Sequence, residues 1–254
     1  MTVAIVTGAS SGIGQATALL FAKKGFQLSL SGRNETALAQ VVKECINLGL
    51  KQDEVTSTVG DLREENVAKE LVQHTIDKFG RIDILVNAAG ILVSGSVETS
   101  SATDYDRQFD INVRSVIVLT KFAIPHIVAT KGTIVNVSSI AGPCAFPGVT
   151  YYCMSKAAID QFTKCLALEL APNGVRVNAV NPGVIISDVH RRAGMSEEEY
   201  AQFLERSKAT HALGRVGTAD EVAEGIYFLA SEHSSFTTGL LLTIDGGRGI
   251  MTPR

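Results

Sequence analysis

Short, β-branched apolar runs alternate with longer stretches of helical period along the chain, and this alternation restricts the fold more than any other feature. Val3–Thr7 reads as a strand ended by Gly8. Ile13–Lys24 then places Ile13, Ala16, Leu19, Leu20 and Lys23 at helical spacings of three and four, and Gly25 stops it. Gln27–Ser31 and Glu35–Leu48 repeat the pair, with Asn34 as N-cap. Val55–Gly60 and Glu64–Phe79 repeat it again, and Ile82–Val86 is a fourth strand. Helices are predicted over Ser101–Asp110 and Val113–Ala129, then a strand over Thr133–Val137, a long helix over Tyr152–Leu170 and a strand over Val175–Val180. A polar region from Ile185 to Leu213 holds a helix near Ser196–Ser207, and helix Ala219–Ser231 precedes a last strand, Leu240–Ile244. Strands joined through helices pair in parallel, with the crossovers covering both sheet faces. The expected class is therefore α/β, a single doubly wound parallel sheet with helices on both faces. No Pro/Gly/Ser-rich linker divides the pattern, so residues 1–254 read as one domain whose substrate loops lie at about 185–213.

Composition removes several functions. Hydrophobic residues make up 45% and charged residues 19%, which excludes a disordered chain. Twenty-three basic against 26 acidic side chains give a net charge of −3, unsuited to a nucleic-acid partner held by charge. No basic block is present to hold an anionic membrane surface. The longest apolar stretch, Val113–Ala129, is interrupted by Arg114, Lys121 and Pro125 and is not expected to span a bilayer. Cys45, Cys144, Cys153 and Cys165 form no CxxC pair and read as reduced thiols. No charged leader precedes the first strand, and Met251-Thr252-Pro253-Arg254 matches no peroxisomal or retention address, so a cytoplasmic location is expected.

Between the first strand and the first helix stands Thr7-Gly8-Ala9-Ser10-Ser11-Gly12-Ile13-Gly14. Glycines there permit a tight turn and close backbone approach, and the N–H groups opening a helix favour an anion such as a dinucleotide pyrophosphate. A fold of this kind that prefers NAD carries an acidic residue roughly 20 residues further on, against the ribose hydroxyls. Here the second strand ends Leu30-Ser31-Gly32-Arg33-Asn34. The acid is missing, and the Arg33 guanidinium suits a 2′-phosphate. NADP(H) is favoured on these grounds, NAD(H) remains possible, and Ser10 or Ser11 adds a hydroxyl to the phosphate.

Tyr152 and Lys156 are four residues apart near the start of the long helix and share a face. A tyrosine titrates near pKa ~10, and a neighbouring ammonium is expected to lower that value toward neutral proton exchange. Ser139 ends the strand Ile134-Val135-Asn136-Val137-Ser138-Ser139, at the edge of the sheet where ligands bind in such folds. Its hydroxyl is placed to hold a carbonyl oxygen while Tyr152 donates a proton.

Taken together, Thr7–Gly14, Asp61, Asn87-Ala88-Ala89-Gly90, Asn112, Ser139, Tyr152, Lys156 and Pro182-Gly183 resemble the short-chain dehydrogenase/reductase family in order and spacing, over nearly the whole chain. The resemblance implies a Rossmann-type fold and an oxidoreductase that interconverts a carbonyl and a secondary alcohol with a nicotinamide cofactor. It also implies that Asp61 and Leu62 meet the adenine, and that Asn87, Ala88, Ala89 and Gly90 end the fourth strand beside the cofactor, Asn87 steadying the sheet. Asn112 would hold a water linking Lys156 to solvent. Ser139 would polarise the carbonyl, Tyr152 would be the acid/base, and Lys156 would also grip the nicotinamide ribose. Pro182, Gly183, the Ile185 backbone and Ser187, which stands where the family often has threonine, would support the nicotinamide amide. No metal is expected.

Substrate choice is expected to lie in Ile91–Ser96, Ala141–Thr150 and Ser187–Leu213, with His190, Arg191 and Arg192 either meeting an anionic substrate or solvated. Lys131 only partly matches the basic residues of family members that reduce acyl-carrier-protein substrates, and Asn173-Gly174 is neutral. The family commonly forms homotetramers or dimers. Val116, Ile117, Leu119, Phe122, Phe162, Leu166 and Leu170 suit an interface, although some must face the sheet. The rival readings are an NAD-dependent alcohol dehydrogenase and a non-catalytic dinucleotide sensor.

Overall fold

A computed structural model describes residues 1–251; the terminal Thr252-Pro253-Arg254, part of the address reading, lies outside them. Seven strands form one sheet: β1 (Val3–Val6), β2 (Gln27–Gly32), β3 (Val55–Val59), β4 (Ile84–Asn87), β5 (Thr133–Val137), β6 (Arg176–Pro182) and β7 (Leu241–Ile244). Their order is β3-β2-β1-β4-β5-β6-β7, and every neighbouring pair is parallel. The chain reverses its winding between β1 and β4, where a crevice opens at the strands' carboxyl ends.

Period-two alternation within the strands builds two cores. Ala4 and Val6 of β1, Ile84 and Val86 of β4, and Val135 of β5 face α1 (Gly12–Lys23), α2 (Glu35–Asn47) and α9 (Ala219–Ala230), packing against Phe21, Leu38 and Ile226. The residues between them, Ile5, Leu85 and Ile134, face α3 (Glu65–Phe79), α5 (Ser115–Thr130) and α6 (Thr150–Leu170), packing against Leu71, Leu119, Ile127 and Leu166. Both faces are thus covered, the doubly wound arrangement read from the sequence.

Every predicted strand and helix is present, with ends moved by up to two residues. Asn34 caps α2 as expected, accepting from the Ala37 N–H at 3.0 Å. Two features differ. First, α4 (Ala102–Phe109) and α5 are not separate helices. A wider π turn, Asp110–Arg114, joins them into one 29-residue helix. That helix is long and apolar enough, by length and composition, to cross a membrane. The charges that interrupt the Val113–Ala129 stretch do not break the helix, and its apolar side chains Leu119, Ala123 and Ile127 lie buried against the sheet. Second, the polar region forms an extra short helix, α7 (Val189–Arg192), before α8 (Glu197–Lys208). Of the apolar residues considered for an interface, Val116, Leu119, Leu166 and Leu170 are buried within the chain, whereas Ile117 is exposed.

Candidate active site

One cavity of about 920 Å³ runs along the carboxyl ends of the strands, from Arg33 and Asp61 at one end to Phe146, Tyr152 and Arg248 at the other. Gly8, Ser10, Ser11, Gly12, Ile13 and Gly14 line its middle. Gly8 has φ +63°, and a Cβ there would meet the Ala88 carbonyl oxygen at 2.9 Å. A Cβ on Gly14 would overlap the carbonyl of Gly8. Both positions therefore require glycine, for conformation in one case and space in the other. Thr7 fixes the neighbouring edge: its Oγ1 accepts from the N–H groups of Ala88 and Ala89 at 3.0 and 3.1 Å. The start of α1 has no side-chain cap on its N–H groups and no acidic residue in its first turn. Such an end, cradled by glycines, fits a dinucleotide pyrophosphate.

At the first end of the cavity, Gly32 closes β2 without a side chain; a Cβ there would crowd the Ser10 hydroxyl at 3.1 Å. Arg33, 56% exposed, has Nη1 3.9 Å from the Asp61 carboxylate. Asp61 itself is gripped by Arg63, whose Nε and Nη2 donate at 3.1 and 2.8 Å. The Arg63 hydrogen bond holds the Asp61 carboxyl below its usual range. Two guanidiniums thus share one carboxylate, and the group is net positive.

The polar side chains of the strand ends form a buried ladder. Asn87 donates to Asn136 Oδ1 at 2.9 Å and to Thr120 Oγ1 at 3.2 Å, and Asn136 donates to Thr163 Oγ1 at 2.9 Å. Asn112, in the π turn, accepts from the Ile91 N–H at 2.8 Å and donates to the Ile91 carbonyl at 2.9 Å and to Ser155 Oγ at 3.1 Å. Its amide therefore pins the Ile91 backbone. Gln108 helps, donating to the Ile91 carbonyl at 2.7 Å and accepting from the Val93 N–H at 2.8 Å.

Ser139, Tyr152 and Lys156 meet at the cavity wall. The Ala141 N–H donates to Ser139 Oγ at 3.1 Å, and Asn181 donates to the Ser139 carbonyl at 2.8 Å. Lys156 Nζ donates to the Val137 carbonyl at 2.8 Å and lies 5.6 Å from the centre of the Tyr152 ring. Burial pushes the Tyr152 phenol up to about 12, with the hydrogen bond to Ser139 pulling the other way. Burial also pulls the Lys156 ammonium down to about 8, opposed by the Asp160 carboxylate. The expected depression of the tyrosine is thus reversed, because desolvation by burial dominates at the phenol.

Pro182 ends β6 and Gly183 follows it at the cavity, where a Cβ on Gly183 would strike Asp245 Cα at 2.9 Å. His211 braces this turn: Nδ1 donates to the Ser207 carbonyl at 2.6 Å, which leaves Nε2 to accept from the Val184 N–H at 3.2 Å. Ile185 and Ser187 border the same space, and the Tyr200 hydroxyl accepts from the Ser187 N–H and donates to its carbonyl at 3.1 and 3.0 Å. The three basic residues of α7 diverge. Arg191 pairs with Glu197 and Asp188, His190 borders the cavity, and Arg192 donates to Ser11 Oγ at 3.1 Å, reaching the glycine-rich turn. Leu62, Ala88, Ala89 and Gly90 also line the cavity. Arg248 was not anticipated, since it follows the last strand beyond every segment read as substrate-facing. Arg63 was missed too, although its position two residues after Asp61 was a visible signal.

A nucleotide-cradling doubly wound sheet with a hydroxyl, a phenol and an ammonium at its carboxyl edge defines a class of dinucleotide-dependent oxidoreductase. Residues 8–248 match the family model described as enoyl-(acyl carrier protein) reductase. The chain is 39% identical over 246 residues to the 3-oxoacyl-(acyl-carrier-protein) reductase FabG of Thermotoga maritima, covering 96% of each. It superposes with a TM-score of 0.95 on a short-chain dehydrogenase/reductase of unknown function from Caenorhabditis elegans, solved with cofactor, at 34% identity over 99% of this chain and 96% of that one. It also superposes on ElxO with NADP bound, with a TM-score of 0.88 and 32% identity over 97% of this chain and 98% of that one. The chain belongs to the short-chain dehydrogenase/reductase family, whose members are oxidoreductases that bind a nicotinamide dinucleotide.

Proposed function

We propose that the protein interconverts a carbonyl and a secondary alcohol with NADP(H), using Tyr152 as acid and base. The observation that carries this reading is one cavity that joins the glycine cradle to Ser139, Tyr152 and Lys156. When bound, the nicotinamide supplies or accepts the hydride. Gly8, Ser10, Ser11, Gly12, Ile13 and Gly14 would hold the pyrophosphate, Asp61 and Leu62 the adenine, and Ala88, Ala89, Gly90, Pro182, Gly183, Ile185 and Ser187 the nicotinamide half. Asn87 and Asn112 act behind them, holding β4 and Ile91.

Ser139 Oγ fixes the carbonyl oxygen. Tyr152, kept as a neutral phenol by burial, hands its proton to that oxygen in reduction and takes it back in oxidation. The Lys156 ammonium beside the ring favours the phenolate left after transfer and grips the ribose. Arg33 recognises the 2′-phosphate, supported by the net positive group it forms with Arg63 and Asp61. Titration with NADPH and NADH, read by nicotinamide fluorescence, tests the cofactor. NADPH should bind tighter by tenfold or more (about 1.4 kcal/mol), and Arg33→Ala should close the gap. Equal or tighter NADH binding overturns it.

The proposed enzyme is one catalytic domain, residues 1–254, acting on a small carbonyl or alcohol. It works as a homotetramer or dimer through the exposed Ile117 and Leu168 of α5 and α6, and through Phe228 and Leu240 near α9 and β7. Four unpaired cysteines suit a reducing cytoplasm.

A further inference from the structure

Beyond the catalytic trio the cavity wall includes the apolar Phe146, Val149 and Phe203, and Arg248 borders it beside them. Arg248 stands on a turn fixed from beneath: the Asp245 carboxylate accepts the N–H groups of Gly247 and Gly249 at 2.9 and 2.6 Å. Its guanidinium lies over Phe146, with Cζ 5.1 Å from the ring centre, and Nη1 donates to Thr210 Oγ1 at 3.0 Å. The group is half-buried, and among the described residues no carboxylate lies within ion-pair distance of it. The nearby carboxylates are otherwise engaged, Asp245 by backbone and Asp188 by Arg191 and Arg192. An arginine presents five N–H donors, and Thr210 takes one here. Burial disfavours the charged guanidinium, and the Asp245 carboxylate, beyond ion-pair distance, opposes this without cancelling it, whereas an oxyanion that accepts its planar fork offsets the loss. His190, stacked on Phe203 with ring centres 4.5 Å apart, adds a half-buried imidazole on the same wall. Burial and the Arg248 charge both disfavour its cationic form, so it can bond an oxyanion without a charge of its own.

We infer that the substrate carries an oxyanion, a carboxylate or phosphate, remote from the reacting carbon, and that Arg248 is the specificity-determining residue that receives it. This inference rests on the oxidoreductase reading above. A fixed guanidinium also excludes cationic substrates from this end.

Straight-chain oxo acids of increasing length, their methyl esters and the corresponding hydroxyketone phosphates test it. The acid or the phosphate should exceed its neutral counterpart in kcat/KM by about tenfold to a hundredfold, chiefly through KM, and the better of the two names the oxyanion. In Arg248→Gln the charged-to-neutral ratio should collapse toward one, and Arg248→Lys should restore part of it. A wild-type ratio near one, or a ratio that survives in Arg248→Gln, overturns the inference while leaving the oxidoreductase reading intact. Calorimetric binding of the same compounds gives a readout that needs no turnover. Equal affinity, or no affinity, for charged and neutral members overturns it there as well. Absence of nicotinamide oxidation with every compound, alongside selective acid or phosphate binding, would count against the oxidoreductase reading instead.

Discussion

At Tyr152 and Lys156 the same poorly solvated surroundings act on two opposite kinds of acid. A phenol loses its charged form and an ammonium loses its charged form, so one value rises to about 12 and the other falls to about 8. Tyr152→Phe should therefore remove the proton donor without disturbing the fold. We expect turnover to fall by about 10²–10⁴ while NADPH binding persists, measured by steady-state rates and fluorescence titration on the same preparation. Lys156 leaves a mark on stability as well. Unfolded lysine keeps its proton to about 10.5 and the folded one only to about 8. Between those values the unfolded state holds more protons, so this residue's contribution makes the protein more stable as pH rises. Urea unfolding of wild type and Lys156→Met should show it. The stability of the variant relative to wild type should be greatest below pH 8 and should shrink toward pH 10.5.

Among the elements, the strands and long helices were legible because each carries its own period and stop signal. Val3–Val6 is ended by glycine, and α2 is capped by Asn34. The glycine-rich turn and the Ser139, Tyr152 and Lys156 set were legible because each lies at a strand end or a helix start, where local pattern fixes position. The π turn was not, since one wider turn leaves the apolar pattern on either side unchanged. Nor was the four-residue α7, too short to show a period. Contacts between distant segments were equally hidden: Arg192 meets Ser11 across 181 positions, and no local pattern announces that. The π turn has a measurable role. Asn112→Ala would strand the Ile91 N–H, a loss costing about 1–3 kcal/mol when buried. A lowered urea midpoint together with reduced turnover is expected, whereas unchanged stability would mean that Gln108 alone holds the segment.

Over the whole molecule, two buried cores leave several apolar side chains outside. Leu168 is 77% exposed on α6 and Ile117 41% exposed on α5. Charges introduced there, as in Ile117→Arg with Leu168→Arg, should halve or quarter the mass seen in sedimentation. A wild-type protein that already sediments as a monomer would contradict the proposed assembly. The sheet's pairing carries a further consequence, for the path by which the chain reaches this state. Among the described residues no neighbouring pair of strands is antiparallel, so no hairpin between them can close early over a short loop. β1 lies inside the sheet, and its β4 side is joined by contacts such as Val3 with Asp83, 80 positions apart. Such long closures make folding slow and leave strand edges open meanwhile. Val3, Ala4, Ile5 and Val6, the driest strand of the finished protein, are the ones with the longest wait for their second neighbour.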